Sequence, residues 1–151
     1  MDLPTYFVDL TPFAPILSDG SPHTISLDVL SAESNHSINQ NWYVTANLQV
    51  SLDDSNKPTT GEITVYEAEP YAQTTITGNV GQDNEVIVTV KASRNIHIEA
   101  DVRTGSGAET HVVWTQSLAF SNTQTYAQNA SVQVRATTKD QAETSEFNIR
   151  M

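Results

Sequence analysis

Ile96-His97-Ile98-Glu99-Ala100-Asp101-Val102-Arg103 is the stretch of this chain whose residue types and spacing could do chemistry. In an extended chain successive side chains point to opposite faces, so His97, Glu99, Asp101 and Arg103 share one face and Ile96, Ile98, Ala100 and Val102 the other. Alternate residues stand about 6.5 to 7 Å apart, a separation at which Glu99 and Asp101 could divide acid and base work across a bound substrate. The competing reading is an ordinary solvated strand, whose outer face is of mixed charge. His23, after Gly20-Ser21-Pro22, could also act as an acid or base, although no second His or Cys stands near it at ligand spacing. Asp53-Asp54-Ser55-Asn56 offers oxygen ligands of the kind a hard cation prefers, but it lacks the fuller spacing of a calcium loop. Asp and Asn are also ordinary turn residues, because their side chains bond their own backbone, and we read the segment as a turn. No metal site is expected.

Aromatic residues divide in the same way. Trp114 falls on the side of Val112, Gln116, Leu118 and Phe120 and reads as core. Tyr43, Tyr66 and Tyr71 are sugar-stacking candidates or simple rim residues, since a ring can cover the apolar face of a sugar while its hydroxyl finds a partner. Tyr43 and Asn47 share the polar side of Trp42-Tyr43-Val44-Thr45-Ala46-Asn47-Leu48-Gln49-Val50-Ser51-Leu52, whose other side carries Val44, Ala46, Leu48, Val50 and Leu52.

These residues need strands to position them, and the chain is patterned for strands throughout. Alternating runs cover 6–10, 24–30, 42–52, 62–67, 74–78, 85–92, 96–103, 110–120, 130–137 and 146–149, with turn clusters at 18–22, 53–61, 79–84, 105–107 and 140–142. No helical period is sustained, and there is neither βαβ spacing nor a tandem repeat. The expected fold is all-β, an antiparallel β-sandwich of about eight to ten strands, jelly-roll-like, forming a single domain over residues 1–151. Its core should contain Val44, Ala46, Leu48, Val50, Ile96, Ile98, Val102, Trp114 and Leu118, with Tyr43, Asn47, Glu99 and Asp101 outside. Strands that begin and end almost at the termini suggest a domain cut from a larger protein.

Composition removes several functions. The 151 residues include no cysteine, so disulfides, thiolate metal sites and thiol nucleophiles are excluded. The formal charge is −11, and all seven Lys and Arg lie at or beyond Lys57. Phosphate backbones and anionic membranes would be repelled, so neither nucleic acid nor membrane is an expected partner. No signal peptide is evident at Met1-Asp2-Leu3-Pro4. The sequons Asn35-His36-Ser37 and Asn129-Ala130-Ser131 suit a glycosylated, secreted parent.

The ordered set of segments "YFVDLTPFAPILSDGSPHTISLDV", "NWYVTANLQVSLD" and "VVWTQSLAFSN" resembles the peptide N-glycosidase A family, the acid-active glycoamidases of fungi and plants. The resemblance rests on Asp9-Leu10-Thr11-Pro12-Phe13, Asp19-Gly20-Ser21-Pro22-His23, the tryptophan-led run from Trp42, and Trp114-Thr115-Gln116-Ser117. It implies hydrolysis of the amide between an asparagine side chain and the first N-acetylglucosamine of an N-glycan or glycopeptide, without a cofactor. Such chemistry needs a base or positioned water, oxyanion donors and an acid for the leaving nitrogen. By chemistry and motif match, Asp9, Asp19 and Glu99 are the catalytic candidates, with Tyr43, Asn47, His23 and Asp101 as substrate contacts. The family is expected to be much longer and to carry two β-sandwiches, so a second sandwich of the parent is an expected partner and the isolated chain is expected to be inactive. The rival reading is a carbohydrate- or protein-binding, or purely supporting, sandwich without chemistry.

Overall fold

The computed structural model describes residues 7–31, 36–38, 41, 43–81, 84–129 and 131–150. A short 3-10 turn at Thr11–Phe13 runs into a four-residue helix, α1 (Ala14–Leu17), each with proline near its start. Strands β1 (Thr60–Ala68), β2 (Gln73–Val80), β3 (Val86–Arg103), β4 (Glu109–Ala127) and β5 (Val132–Arg150) follow. All pairings are antiparallel, in the order β1-β3-β4-β5, and β2 pairs with the amino-terminal half of the same β3 edge that β1 occupies further along. The fold is all-β, and the described residues form one five-stranded sheet.

Long hairpins build this sheet. β3, β4 and β5 are 18, 19 and 19 residues long. The runs at 85–92 and 96–103 therefore fuse into one strand, as do those at 130–137 and 146–149. Ser93-Arg94-Asn95 and Asp140-Gln141-Ala142 resemble breaks in the sequence, but neither segment contains a Pro to remove a ladder hydrogen bond. Each is paired throughout with β4, so the ladder overrides weak local propensity. At the β3–β4 tip Thr104 N donates to Ala108 O at 2.9 Å and Gly107 takes φ 100°, which favours glycine. At the β4–β5 tip Gln128 and Asn129 take φ 51° and 55°.

Cross-strand partners share a face, so the register places Ile96, Ile98, Ala100 and Val102 with Val112, Trp114 and Gln116. All seven are buried, with Trp114 3% exposed. Phe13 and Ile63 pack against this cluster, and buried Pro12 stands beside Phe13. The segment around α1 thus covers one half of the apolar face. Along β4 the face becomes polar: buried Asn122 donates from Nδ2 to Thr137 Oγ1 at 2.7 Å and accepts from Gln124 Nε2 at 3.2 Å.

The expected inner set on β3 and the inward Trp114 are observed, and Leu118 is half-buried. Val44, Ala46, Leu48 and Val50 are a correction. Residues 43–52 form no strand, and all of them are exposed: Val44 is 48%, Leu48 60%, Val50 64% and Leu52 90% accessible. Alternation specifies which side chains share a side; burial also needs a surface against which to place them. Residues 7–10 and 24–30 likewise form no strand, while Tyr6 and Trp42 lie outside the described residues.

Candidate functional site

The face of the sheet opposite the core gathers four titratable side chains. His97 and Glu99 are neighbours on that face of β3, and the β3–β4 register sets His111 opposite Asp101. His97 Nε2 lies 2.8 Å from Glu99 Oε1, and His111 Nε2 lies 3.3 Å from Glu99 Oε2. His111 Nδ1 is 2.8 Å from Asp101 Oδ1. One carboxylate is thus bracketed by two imidazoles, and one imidazole by two carboxylates. All four side chains are partly buried.

This geometry constrains protons. Both ring nitrogens of His111 face carboxylate oxygens, and a neutral ring can donate through only one of them. The unit Glu99–His111–Asp101 thus brings one imidazole and two carboxylates within reach of one another. That is the raw material of acid–base chemistry. Among the described residues no group of three or more His, Asp or Glu side chains is arranged to hold a metal ion.

Asp101 also opens onto a groove of about 390 Å³ at the end of the sheet, lined with it by Thr60, Glu62, Arg103, Glu109 and Thr110. Arg103 Nε is 3.7 Å from Glu109 Oε1 there. β1 approaches Asp101 closely because Gly61 has no side chain: a Cβ at that position would lie 2.0 Å from the Asp101 carbonyl oxygen.

The other candidates are placed apart from this cluster. Asp9 accepts from Thr11 N at 2.9 Å and belongs to the segment on the apolar face. Asp19 accepts from Ser21 N at 2.7 Å and pairs with His23 Nε2 at 2.8 Å; the Ser21 amide first, and then His23, hold its carboxyl below the usual carboxylate range. Asp19 lines a second groove, of about 260 Å³, that shares Thr60 and Gly61 with the first, so the start of β1 separates Asp19 from Asp101. Tyr43, 93% accessible, and Asn47 are exposed as expected. Asp53 is a structural turn residue: its Oδ2 accepts from Ser106 N at 2.7 Å, and that amide lowers its pKa. Tyr71 stacks on His36 with ring centroids 4.4 Å apart. Asn129 is exposed at the β4–β5 turn, and Asn35 lies outside the described residues.

Sequence reasoning singled out His97, Glu99 and Asp101 but missed His111. The signal was available in the hairpin, because once Gly105-Ser106-Gly107 is taken as the tip, residues equidistant from Ser106 pair, and Asp101 meets His111.

Two family profiles match the chain in succession. "Peptide N-acetyl-beta-D-glucosaminyl asparaginase amidase A" matches residues 1–69, and "PNGase_A C-terminal domain" matches residues 87–148. Both profiles describe parts of peptide N-glycosidase A, and between them they cover most of the chain. A relative from Prunus dulcis, peptide-N4-(N-acetyl-beta-glucosaminyl)asparagine amidase A, is 26% identical over 133 residues, which is 88% of this chain and 22% of the relative. The chain therefore spans about a fifth of the length of that peptide N-glycosidase A relative. No solved structure matches it. The two matched stretches meet in the sheet, where β1 from the first pairs with β3 from the second.

Proposed function

We propose that this chain is one wall of an N-glycan amidase, whose complete form hydrolyses the amide between an asparagine side chain and the first N-acetylglucosamine of a glycopeptide. Water adds across the C–N bond, giving aspartate and a glycosylamine. In this reading Glu99 and the His111–Asp101 pair hold and move the proton that the leaving nitrogen requires, and the groove beside Asp101 receives the substrate. The match to that family supplies the reaction class. The role of this chain is carried by Glu99, bracketed by His97 and His111 and linked through His111 to Asp101, which lines the groove. Asp19, paired with His23, lines the adjoining groove, and Tyr43 and Asn47 are available to a glycan. The parent passes through the secretory pathway, in keeping with an acceptor sequon on the exposed turn at Asn129.

The groove is shallow and its acidic side chains are partly solvated, an observation that favours a second reading, a supporting or glycan-binding sheet without chemistry. Glycan release from a glycopeptide at about pH 5, assayed with the complete parent and its Glu99→Gln variant, separates the two. General acid–base participation predicts a loss of about a hundredfold or more in kcat/KM with an altered pH profile. A variant with unchanged rate and profile would establish the supporting reading. The isolated chain should release no glycan above the buffer rate, since its described residues present no assembled set of base, acid and oxyanion donors.

A further inference from the structure

We infer that residues 43–52, with 24–30 beside them in the chain, are strands of a second sheet that is completed by the rest of the parent protein, and that they order only when that partner is present. The inference rests on reading the chain as a piece of a longer amidase. Three observations carry it.

First, 43–52 keeps two-residue alternation throughout and 24–30 keeps it as far as Val29, yet neither is paired. Their apolar sides face water for most of their length: Ile25 and Leu27 in one, with Val29 half-buried, and Val44, Leu48, Val50 and Leu52 in the other. Isolated exposed apolar residues are common on protein surfaces, but two consecutive alternating runs with their apolar sides uncovered mark an interaction surface. Second, both segments lie in the stretch matched by the first family profile, of which the sheet takes up only β1, and the Prunus dulcis relative has more than three quarters of its length outside the aligned region. The occupant is therefore available within the same family of chains. Third, charge argues against a second copy as that occupant. No Lys or Arg precedes Lys57, whereas Asp28 lies in one segment and Asp53-Asp54 closes the other, so self-pairing would set acid against acid in a molecule of net charge −11.

The partner chemistry follows. It is an antiparallel sheet edge with an apolar inner face and few acidic groups, taking these strands by main-chain hydrogen bonding and covering Val44, Leu48, Val50 and Leu52. Once the strand forms, Tyr43 and Asn47 project from its other side. The contact that completes the core would then also orient the aromatic ring offered to a glycan.

Hydrogen exchange of the backbone amides of residues 43–52 tests this in the isolated chain and in the full-length reading frame that contains it. In the isolated chain these amides should exchange at near-unfolded rates while those of β3 and β4 are protected. In the full-length protein they should slow by about a hundredfold or more. Leu48→Asp with Val50→Asp should abolish that protection, leaving protection of β3 and β4 unchanged. Equal, fast exchange in both proteins would overturn the inference, as would a reading frame with no residues beyond these 151. Protection that grows with concentration of the isolated chain would instead assign the surface to self-association. Glycan release is read in parallel: an inactive full-length protein with residues 43–52 protected would refute the amidase reading and leave this one standing, and an active one without protection would do the reverse.

Discussion

Glu99 is held by its neighbours. Its two oxygens are shared between His97 and His111, and His111 spends its other nitrogen on Asp101. Replacing His111 by Gln keeps an amide N–H donor of similar bulk but removes the imidazole, the group beside Glu99 that could exchange a proton with it. In the complete amidase this change should lower kcat more than it raises KM, with the acid limb of the pH profile moved, because the defect lies in proton handling. An effect confined to KM would make His111 a binding residue only. Asp53 gives a residue-scale prediction of opposite character. The Ser106 N–H donates to its carboxylate and lowers its pKa, so the folded state binds the proton less readily than the unfolded one. The tether is present at neutral pH and weakens as pH falls below the usual carboxylate range through the depressed value. The Ser106 amide resonance should follow that titration, and in Asp53→Asn it should not respond across the same window.

At the scale of elements, the β3–β4 hairpin is the frame on which both faces depend. Trp114→Ala would empty the centre of the apolar cluster with Ile96 and Ile98 and should cost about 3 kcal/mol or more, read as a lowered thermal midpoint. Gly61→Ala should push β1 away from Asp101, since the added methyl meets the Asp101 carbonyl at 2.0 Å and the backbone there, φ 152°, is one that side chains rarely adopt. The expected result is a looser β1–β3 ladder, measured as faster amide exchange in residues 60–63, while the β3–β4 ladder is retained. The same hairpin shows how much was legible beforehand. Two-residue alternation assigned the faces of β3 and the inward direction of Trp114, because burial on one side and charge on the other leave a plain sequence record. It did not show that β3 is one strand, since Ser93-Arg94-Asn95 is weak as strand and is held only by its partners on β4 and β2. Nor did it reveal His111, whose importance is relational. An imidazole ten positions from Asp101 becomes its neighbour only through the turn register.

For the molecule as a whole, the outcome at 43–52 shows what a sequence pattern leaves unsaid. Tyr43 and Asn47 were correctly read as outward, but Val44, Leu48 and Val50 were assigned to a core that the described residues do not provide. The alternation records a partner surface without saying whether the same chain carries it. Charge and hydrophobicity then act against each other over the entire surface. At neutral pH a net charge of −11 opposes association of copies through the exposed apolar runs. Near the isoelectric point, about 4.5, the mean repulsion vanishes while the apolar surface is unchanged. The isolated chain should therefore sediment as a monomer at pH 7 and low salt, and associate as the pH approaches 4.5. Leu48→Asp with Val50→Asp should suppress that association beyond the small shift in isoelectric point that two added acids produce. Acidic substitutions at exposed Thr75 and Thr77 on β2, which add the same charge away from the uncovered runs, serve as the control. Equal suppression by both pairs would mean that net charge alone governs association. Suppression by the Leu48 and Val50 pair only would locate the adhesive surface on the segment that awaits its sheet.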